Sequence, residues 1–308
     1  MDLIKEINLV GKFSNTWGAE HSIKRGFEEL GYKVNCIETL TFNPHQCQHG
    51  VLTIVLQGYG IPALDIQEGK RWTKQPWILW HAEVLAPTLP SSDTVVNMKA
   101  NELVKNAYSF DAVGHNCITC LDTVQKLGGQ NVFWAPNNGI DLQIHRVKPE
   151  IRKSIMLGFY GHVSKRREYM IQMLSRKGIH VTWMLPSPSS YGEDLIDFIN
   201  SCDCVLNLHY SKSPNTECRM YEVIGCGVPI ISEPITMPQL FGPNEGIWYI
   251  DTNDFNYLSL VEVNAFIAFR FDSVNLTRQY LCENATYKHR CQFFLDQIER
   301  VLCNKYLG

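Results

Sequence analysis

The sequence predicts an α/β protein built from two parallel-sheet domains, and three observations predict it. Short apolar runs alternate with amphipathic stretches along the whole chain, the pattern of strands joined by crossover helices. Residues 77–80 form a continuous apolar run and 51–56 one broken only by Thr53, as expected of strands buried on both faces. The chain has 308 residues, about twice a ~150-residue domain, and the alternation restarts once after a turn-rich polar stretch.

Each element follows from local pattern. Residues 7–13 read as a first strand and 19–30 as a helix with Ile23, Phe27 and Leu30 on one side. Gly31 suits the position after its end. Strands are expected at 32–37, 51–56, 77–80, 111–114 and 131–134, with helices at 101–108 and 117–127. Asn137, Asn138, Gly139 and Asp141 form a turn-rich segment, and the polar stretch 145–153 reads as the linker. The second half gives strands at 155–160, 180–185, 204–208, 228–232 and 247–250. Helices are expected at 167–177, 194–201 and 217–225, a loop at 186–191, and helix from 256 to the end.

Composition excludes several classes. Hydrophobic residues make up 45% and charged residues 19%, enough for a packed core and too apolar for disorder. A net charge of -3 argues against a dedicated nucleic-acid binder while leaving room for a local basic groove. The first residues carry Asp2 and no apolar run, so they do not read as a signal peptide. No stretch approaches the ~20 apolar residues of a membrane span. Eleven scattered cysteines, an odd number in a chain of this length, fit a reducing compartment. A cytoplasmic protein is the expectation. Cys117 and Cys120 have C-x-x-C spacing without the second pair that zinc needs. They read as two small apolar side chains one turn apart, with a redox or metal role as the alternative. Without a secretory signal, the sequons at Asn275 and Asn284 read as chance matches.

Four segments carry candidate chemistry. In residues 215–233, Asn215 and Thr216 lead into a helix that Thr216 can cap. The remaining first-turn N–H groups then favour an anion such as phosphate. Arg219 offers a fork of charged donors to a diphosphate, and the Glu222 carboxylate can accept two ribose hydroxyls. The alternative is an ordinary surface helix whose i,i+3 Arg–Glu pair is worth ~0.2–0.5 kcal/mol. In residues 158–168, a strand ends at Gly161 and Lys165, Arg166 and Arg167 cluster at a helix start. Cations there are unfavourable without a negative neighbour, which points to a bound anion, or else to a solvated charge run. The turn with Trp17 and Gly18 follows the first strand but lacks a full G-x-G-x-x-G or P-loop pattern. His81 and Glu83 stand at the end of an apolar strand, the edge where parallel sheets bind ligands. His81 suits an acid, base or donor and Glu83 a base or orienter. A core histidine with satisfied hydrogen bonds is the alternative.

Taken together, these segments resemble the GT-B glycosyltransferases, and within them the CgeB-like (spore-maturation-type) group. The matching residues begin with the F-x-G strand end and basic helix start over 159–167, then the strand 205–208. They continue through Arg219, Glu222, Cys226, Gly227, Pro229, Ile231, Ser232 and Glu233, and through Thr286, Tyr287 and Arg290. Residues 137–141 are similar to the group's turn before the linker. The specific part runs over about 158–233 and 286–290. The resemblance implies two Rossmann-like domains facing across a cleft, at 1–150 on the acceptor side and 151–285 on the donor side. A C-terminal helix at 286–308 would return to the first domain. It implies a hexosyl- or pentosyltransferase that moves sugar from a nucleotide-diphosphate sugar, UDP-sugar favoured, to an acceptor hydroxyl. No metal or other cofactor is expected. Arg219, Lys165 and Arg166 would hold the diphosphate and Glu222 the ribose. Trp17, Gly18, Gly161, Asn215 and Thr216 would line the donor, and His81 or Glu83 would touch a sugar. The acceptor stays open among a polysaccharide, a protein, a small molecule and a modified nucleic-acid base. One departure stands out. Many retaining members carry two glutamates with seven residues between them here, and counting back from Glu222 the first position in this chain is Pro214, with Glu217 three residues on. Two rival readings remain, a nucleotide-sugar epimerase of the same fold and a non-catalytic sugar-nucleotide or glycan-binding module.

Overall fold

The computed structural model describes residues 5–14, 18–57, 60–82, 106–185, 192–210, 217–270 and 272–306. Among the described residues the strands form two separate sheets, both wholly parallel. The chain divides into two compact units. One comprises Met1–Asn138 with Tyr287–Gly308, and the other Gly139–Thr286.

The first unit holds β1 (Lys5–Gly11), β2 (Tyr32–Glu38), β3 (Leu52–Leu56), β4 (Trp77–His81), β5 (Ala112–His115) and β6 (Val132–Trp134). They lie in the order β2-β1-β3-β4-β5-β6. β4 is buried at every position, as its unbroken apolar run predicts for a central parallel strand. Successive side chains point to opposite faces. Trp77 therefore joins Val10, Val55, Ile66 and Leu79 on one face, where Ile66 belongs to α2 (Ala63–Thr73). Trp80 joins Ile7, Leu9 and Ile54 on the other. Two helices cover that second face, α1 (Ala19–Glu29) through Ile23 and Phe27, and the chain's last helix through Cys291, Phe294 and Ile298. The spacing 291, 294, 298 is one stripe of a 3.6-residue helix. Phe294 stacks on Trp80 with ring centroids 4.0 Å apart and planes 7° from parallel. It lies so close to β5 that a Cβ on Gly114 would sit 2.6 Å from its ring.

The second unit holds β7 (Ile155–Tyr160), β8 (Thr182–Met184), β9 (Cys202–Asn207), β10 (Ile230–Ser232) and β11 (Ile247–Tyr249). They lie in the order β11-β10-β9-β7-β8. The chain moves one way from β7 to β8 and the other way to β9, so the strand order reverses between β7 and β9. In open parallel sheets, ligands bind at the carboxyl ends of the strands flanking such a reversal. Ile140 bridges Thr286 and its N–H donates to the Ala285 carbonyl at 3.0 Å, tying the unit's first and last residues together.

Most expected elements are present, with differences at their ends. The helix expected over 117–127 is a 3-10 turn (Ile118–Cys120) running into α3 (Leu121–Lys126). Cys117 stays extended as the cap of that turn, with its N–H 3.0 Å from His115 Nδ1. Of the helix expected over 101–108, a 3-10 turn at Ala107–Ser109 is described. Residues 101–105 and the loop 186–191 lie outside the described residues. The helix expected over 194–201 is α5 (Glu193–Ser201), and the helical C-terminal stretch resolves into α7 (Leu260–Arg270), α8 (Val274–Asn284) and α9 (Tyr287–Tyr306).

Replacing Phe294 with Ala removes the ring between Trp80 and β5. Urea unfolding should show a loss of about 3–5 kcal/mol. A cost below 1 kcal/mol would mean that the stack does not organise the first unit's core.

Candidate active site at the edge of the second sheet

β7 ends at Tyr160 with Gly161 next, and β9 ends at Asn207, followed by Leu208 and His209. Two helices begin beside these strand ends, α4 (Lys165–Arg176) and α6 (Cys218–Gly225). Arg219 stands in the first turn of α6 and is 5% exposed. Its Nη1 donates to Asn207 Oδ1 at 2.6 Å and to Glu217 Oε2 at 2.8 Å. The guanidinium carbon lies 5.1 Å from the centre of the Phe159 ring and 5.0 Å from that of Tyr160, within cation–π range. Its buried Nε has no hydrogen-bond partner among the described residues. A buried charged donor left unpaired is costly, so this atom marks a place where a ligand would be welcome.

Glu217 is the counter-charge. Burial alone would raise its carboxyl, but the charge of Arg219, the His209 hydrogen bond and Arg167 outweigh burial and hold it down at about 2. His209 faces Glu217 Oε1 through Nδ1 at 3.1 Å and the Pro234 carbonyl through Nε2 at 2.8 Å. Its backbone N–H donates to Glu233 Oε2 at 2.7 Å. Glu233, 1% exposed, also accepts both terminal nitrogens of Arg166. Arg166 reaches the His209 carbonyl and Thr252 as well. Arg167 donates to the carbonyls of Leu208 and His162. Burial and the neighbouring Arg219 charge lower its guanidinium to about 10.

This geometry changes three sequence expectations. The surplus of cations at the start of α4 does not by itself require an outside anion, because Glu233 and backbone carbonyls meet Arg166 and Arg167 from within the protein. Lys165 alone of the three is exposed. Arg219 and Glu222 do not form the i,i+3 pair. Arg219 turns to Glu217 and Asn207, while Glu222 accepts the Tyr160 hydroxyl at 2.5 Å. The cap expected at Thr216 falls on Glu217, which holds the N-cap of α6 and makes no side-chain cap bond. Asn215, Thr216 and Pro214 lie outside the described residues. Gly161 has φ +141, and a Cβ there would lie 2.9 Å from Arg219 Nη2 and 3.2 Å from Arg167 Nη1. A glycine at this position therefore leaves both guanidinium groups uncovered on that side.

In the first unit, Gly18 is the N-cap of α1, with φ -71 and ψ 158, a conformation open to any residue. Trp17 and Glu83 lie outside the described residues. His81 ends β4 opposite His115 of β5. It is 1% exposed, and burial followed by the neighbouring His115 pushes its ring well below the usual histidine range. His81 is thus neutral at physiological pH. Its Nδ1 lies 3.2 Å from His115 Nε2, and the far side of His115 meets both the N–H and the carbonyl of Cys117. The two rings have two self-consistent proton arrangements. If Cys117 N–H donates to His115, each ring carries its proton on Nε2 and His81 presents a donor. If His115 donates to the Cys117 carbonyl, the protons shift to Nδ1 and His81 presents a lone pair. His81 Nε2 has no partner among the described residues.

Sequence reasoning missed Asn207, His209 and Tyr160, which hold Arg219, Glu217 and Glu222, and it missed His115. The signal was partly there: Asn207 and His209 flank the end of an apolar strand, as His81 does.

A family model described as glycosyl transferase-like matches residues 166–296, from the start of α4 into α9. No curated protein matches the chain. Solved structures do. The chain is similar to sucrose-phosphate synthase from Thermosynechococcus elongatus at 11% identity and TM-score 0.63, covering 97% of this chain and 100% of that one. It is similar to HepE of Anabaena, solved in complex with UDP, at 12% identity and TM-score 0.60, covering 96% and 100%. A third likeness is to AviGT4, a glycosyltransferase involved in avilamycin A biosynthesis, at 13% identity and TM-score 0.59, covering 97% and 98%. At these identities the likeness establishes the fold, the α/β architecture of GT-B glycosyltransferases.

The Glu217 carboxyl gives a pH signature. Its ordinary value of 4.5 falls to about 2 in the fold, so its contribution is complete above pH 4.5 and is lost as pH falls through 2. A shift of this size corresponds to about 3 kcal/mol. Denaturation of Glu217→Gln beside the native protein should show that gap at neutral pH, closing between pH 4.5 and 2. A gap that does not change with pH would show that the Arg219–Glu217 pair contributes nothing.

Proposed function

We propose that the protein is a metal-independent glycosyltransferase that binds a nucleotide-diphosphate sugar, UDP-sugar favoured, at the carboxyl edge of its second sheet and passes the sugar to an acceptor hydroxyl. The observation that carries this reading is Arg219, a buried guanidinium at the strand-order reversal whose Nε has no partner among the described residues. Exposed Lys165 starts one of the two helices at that edge, and half-exposed Glu222 lies on the other. In this reading Arg219 and Lys165 meet the diphosphate, and Glu222, held by Tyr160, accepts the ribose hydroxyls. Arg166, Arg167, Glu217 and Glu233 keep these groups in place. As the bond from sugar to diphosphate breaks, negative charge grows on the leaving phosphate. Fixed cations stabilise that charge without reorganising. The UDP complex of HepE and its UDP-glucose complex, at TM-score 0.55 and 13% identity, support the choice of base. The motif residues from Arg219 to Glu233 with Thr286, Tyr287 and Arg290 support placement in the CgeB-like group. His81 keeps the part of a neutral polar group that meets a sugar hydroxyl.

Pro214 at the first glutamate position favours one second reading, a sugar-nucleotide-binding module without turnover. Thermal-shift and calorimetric titration with UDP, other nucleoside diphosphates and their sugars separates the two when followed by assay for released UDP. Selective stabilisation by one base is expected. Glu222→Ala and Lys165→Ala should each weaken binding about tenfold, or 1.4 kcal/mol. A cooperatively melting protein that no nucleoside diphosphate stabilises would overturn the donor site. Binding with no release of nucleotide across an acceptor panel would select the module.

A further inference from the structure

Two imidazoles end neighbouring strands of the first sheet, His81 on β4 and His115 on β5, paired in register. Both are buried, and their ring centres lie 5.0 Å apart with planes 26° from parallel. His81 Nδ1 lies 3.2 Å from His115 Nε2. On its other side, His115 Nδ1 lies 3.0 Å from the Cys117 backbone nitrogen and 3.1 Å from the Cys117 carbonyl oxygen. We infer that the Cys117 N–H holds the proton of each ring on Nε2, so that His115 is a positioning residue and His81 a hydrogen-bond donor to a sugar oxygen rather than a base.

An imidazole can move its proton from one nitrogen to the other, whereas a backbone amide keeps its own. With a proton on His115 Nδ1, that ring would set one N–H against another across 3.0 Å. The Cys117 N–H would then have no acceptor among the described residues, and a buried donor left without its bond is costly. With a lone pair on Nδ1 the amide is satisfied. The Cys117 carbonyl does not need the ring, because it accepts the Cys120 N–H at 3.1 Å. His115 accordingly carries its proton on Nε2 and donates it to His81 Nδ1. Burial disfavours charge on His81, so this neutral ring carries its one proton on Nε2. That nitrogen, on the last residue of β4, has no partner among the described residues. It offers a proton to an oxygen lone pair and has no lone pair with which to take a proton from an acceptor hydroxyl. The donor is set before a ligand arrives, as fixed dipoles are when they act without reorganising. The role of His81 toward a sugar rests on the glycosyltransferase reading, while the place of the protons does not.

Proton–nitrogen correlation spectra of the full chain with nitrogen-labelled histidine read which ring nitrogen carries the proton, and His81→Gln and His115→Gln assign the signals. At neutral pH both rings should carry it on Nε2. A proton on Nδ1 of either ring would overturn the inference, whether or not nucleotide binds or turns over. In assays of UDP release, His115→Phe should lower kcat about tenfold, the worth of one hydrogen bond, with UDP affinity by calorimetry unchanged. His115→Gln, whose amide keeps an N–H for His81, should recover most of that loss. Equal turnover in His115→Phe and the native protein would overturn the positioning role. So would UDP affinity falling in step with turnover, since His115 would then only support the fold. A native protein that binds no nucleotide would remove the donor site and leave the spectra to decide the protons.

Discussion

Three guanidinium groups and two carboxylates are gathered at one edge of one parallel sheet, and removing them from water dictates what surrounds them. A buried charge is tolerated only when paired and hydrogen-bonded. Arg219 accordingly lies between two aromatic rings with Asn207 and Glu217 on one nitrogen, and Arg166 is gripped by both oxygens of Glu233. His209 joins the two halves, with its ring on Glu217 and its N–H on Glu233. The strand ends are thereby fixed with respect to the starts of both helices. Such an edge is preorganised, because its positive charge is in place before any ligand arrives. The Nε of Arg219, without a partner among the described residues, is the part of that order left unfinished.

The two sheets have a similar strand order and use their carboxyl edges differently. The second unit concentrates charge there. The first presents neutral imidazoles, since burial keeps His81 uncharged and its orientation passes through His115 to the backbone of Cys117. A charged cluster suits phosphate, whereas a neutral ring that can present either a proton or a lone pair suits hydroxyl groups.

Much of the fold was legible because its signals are local. The apolar runs 51–56 and 77–80 marked β3 and β4, and the i, i+4 pair Ile23 and Phe27 marked α1. The site was legible by residue type more than by partner. Arg219, Glu222, Lys165 and Arg166 all fall at the edge where the strand order reverses. Their pairings did not follow from spacing, because a helical i,i+3 rule governs exposed side chains, and Arg219 is buried. Once desolvated, it takes the strongest acceptors in three dimensions, which come from the preceding strand and the cap residue. The roles of Tyr160 and His209 were hidden for the same reason, since their partners lie 62 and 24 residues away. The helix expected from 117 starts later, since Cys117 stays extended as the cap of a 3-10 turn with its N–H and carbonyl both facing His115 Nδ1.

The packing of α9 bears on the order in which the protein can be made. Residues 287, 291, 294 and 298 complete a core whose other buried members lie within the first 135 residues. A ribosome delivers all of Gly139–Thr286 before it delivers that helix. The second unit thus has its whole sequence available while the first still exposes the face of Trp80. Although it begins later in the chain, the second unit can finish folding first, and the nascent first unit is the species that a chaperone would meet.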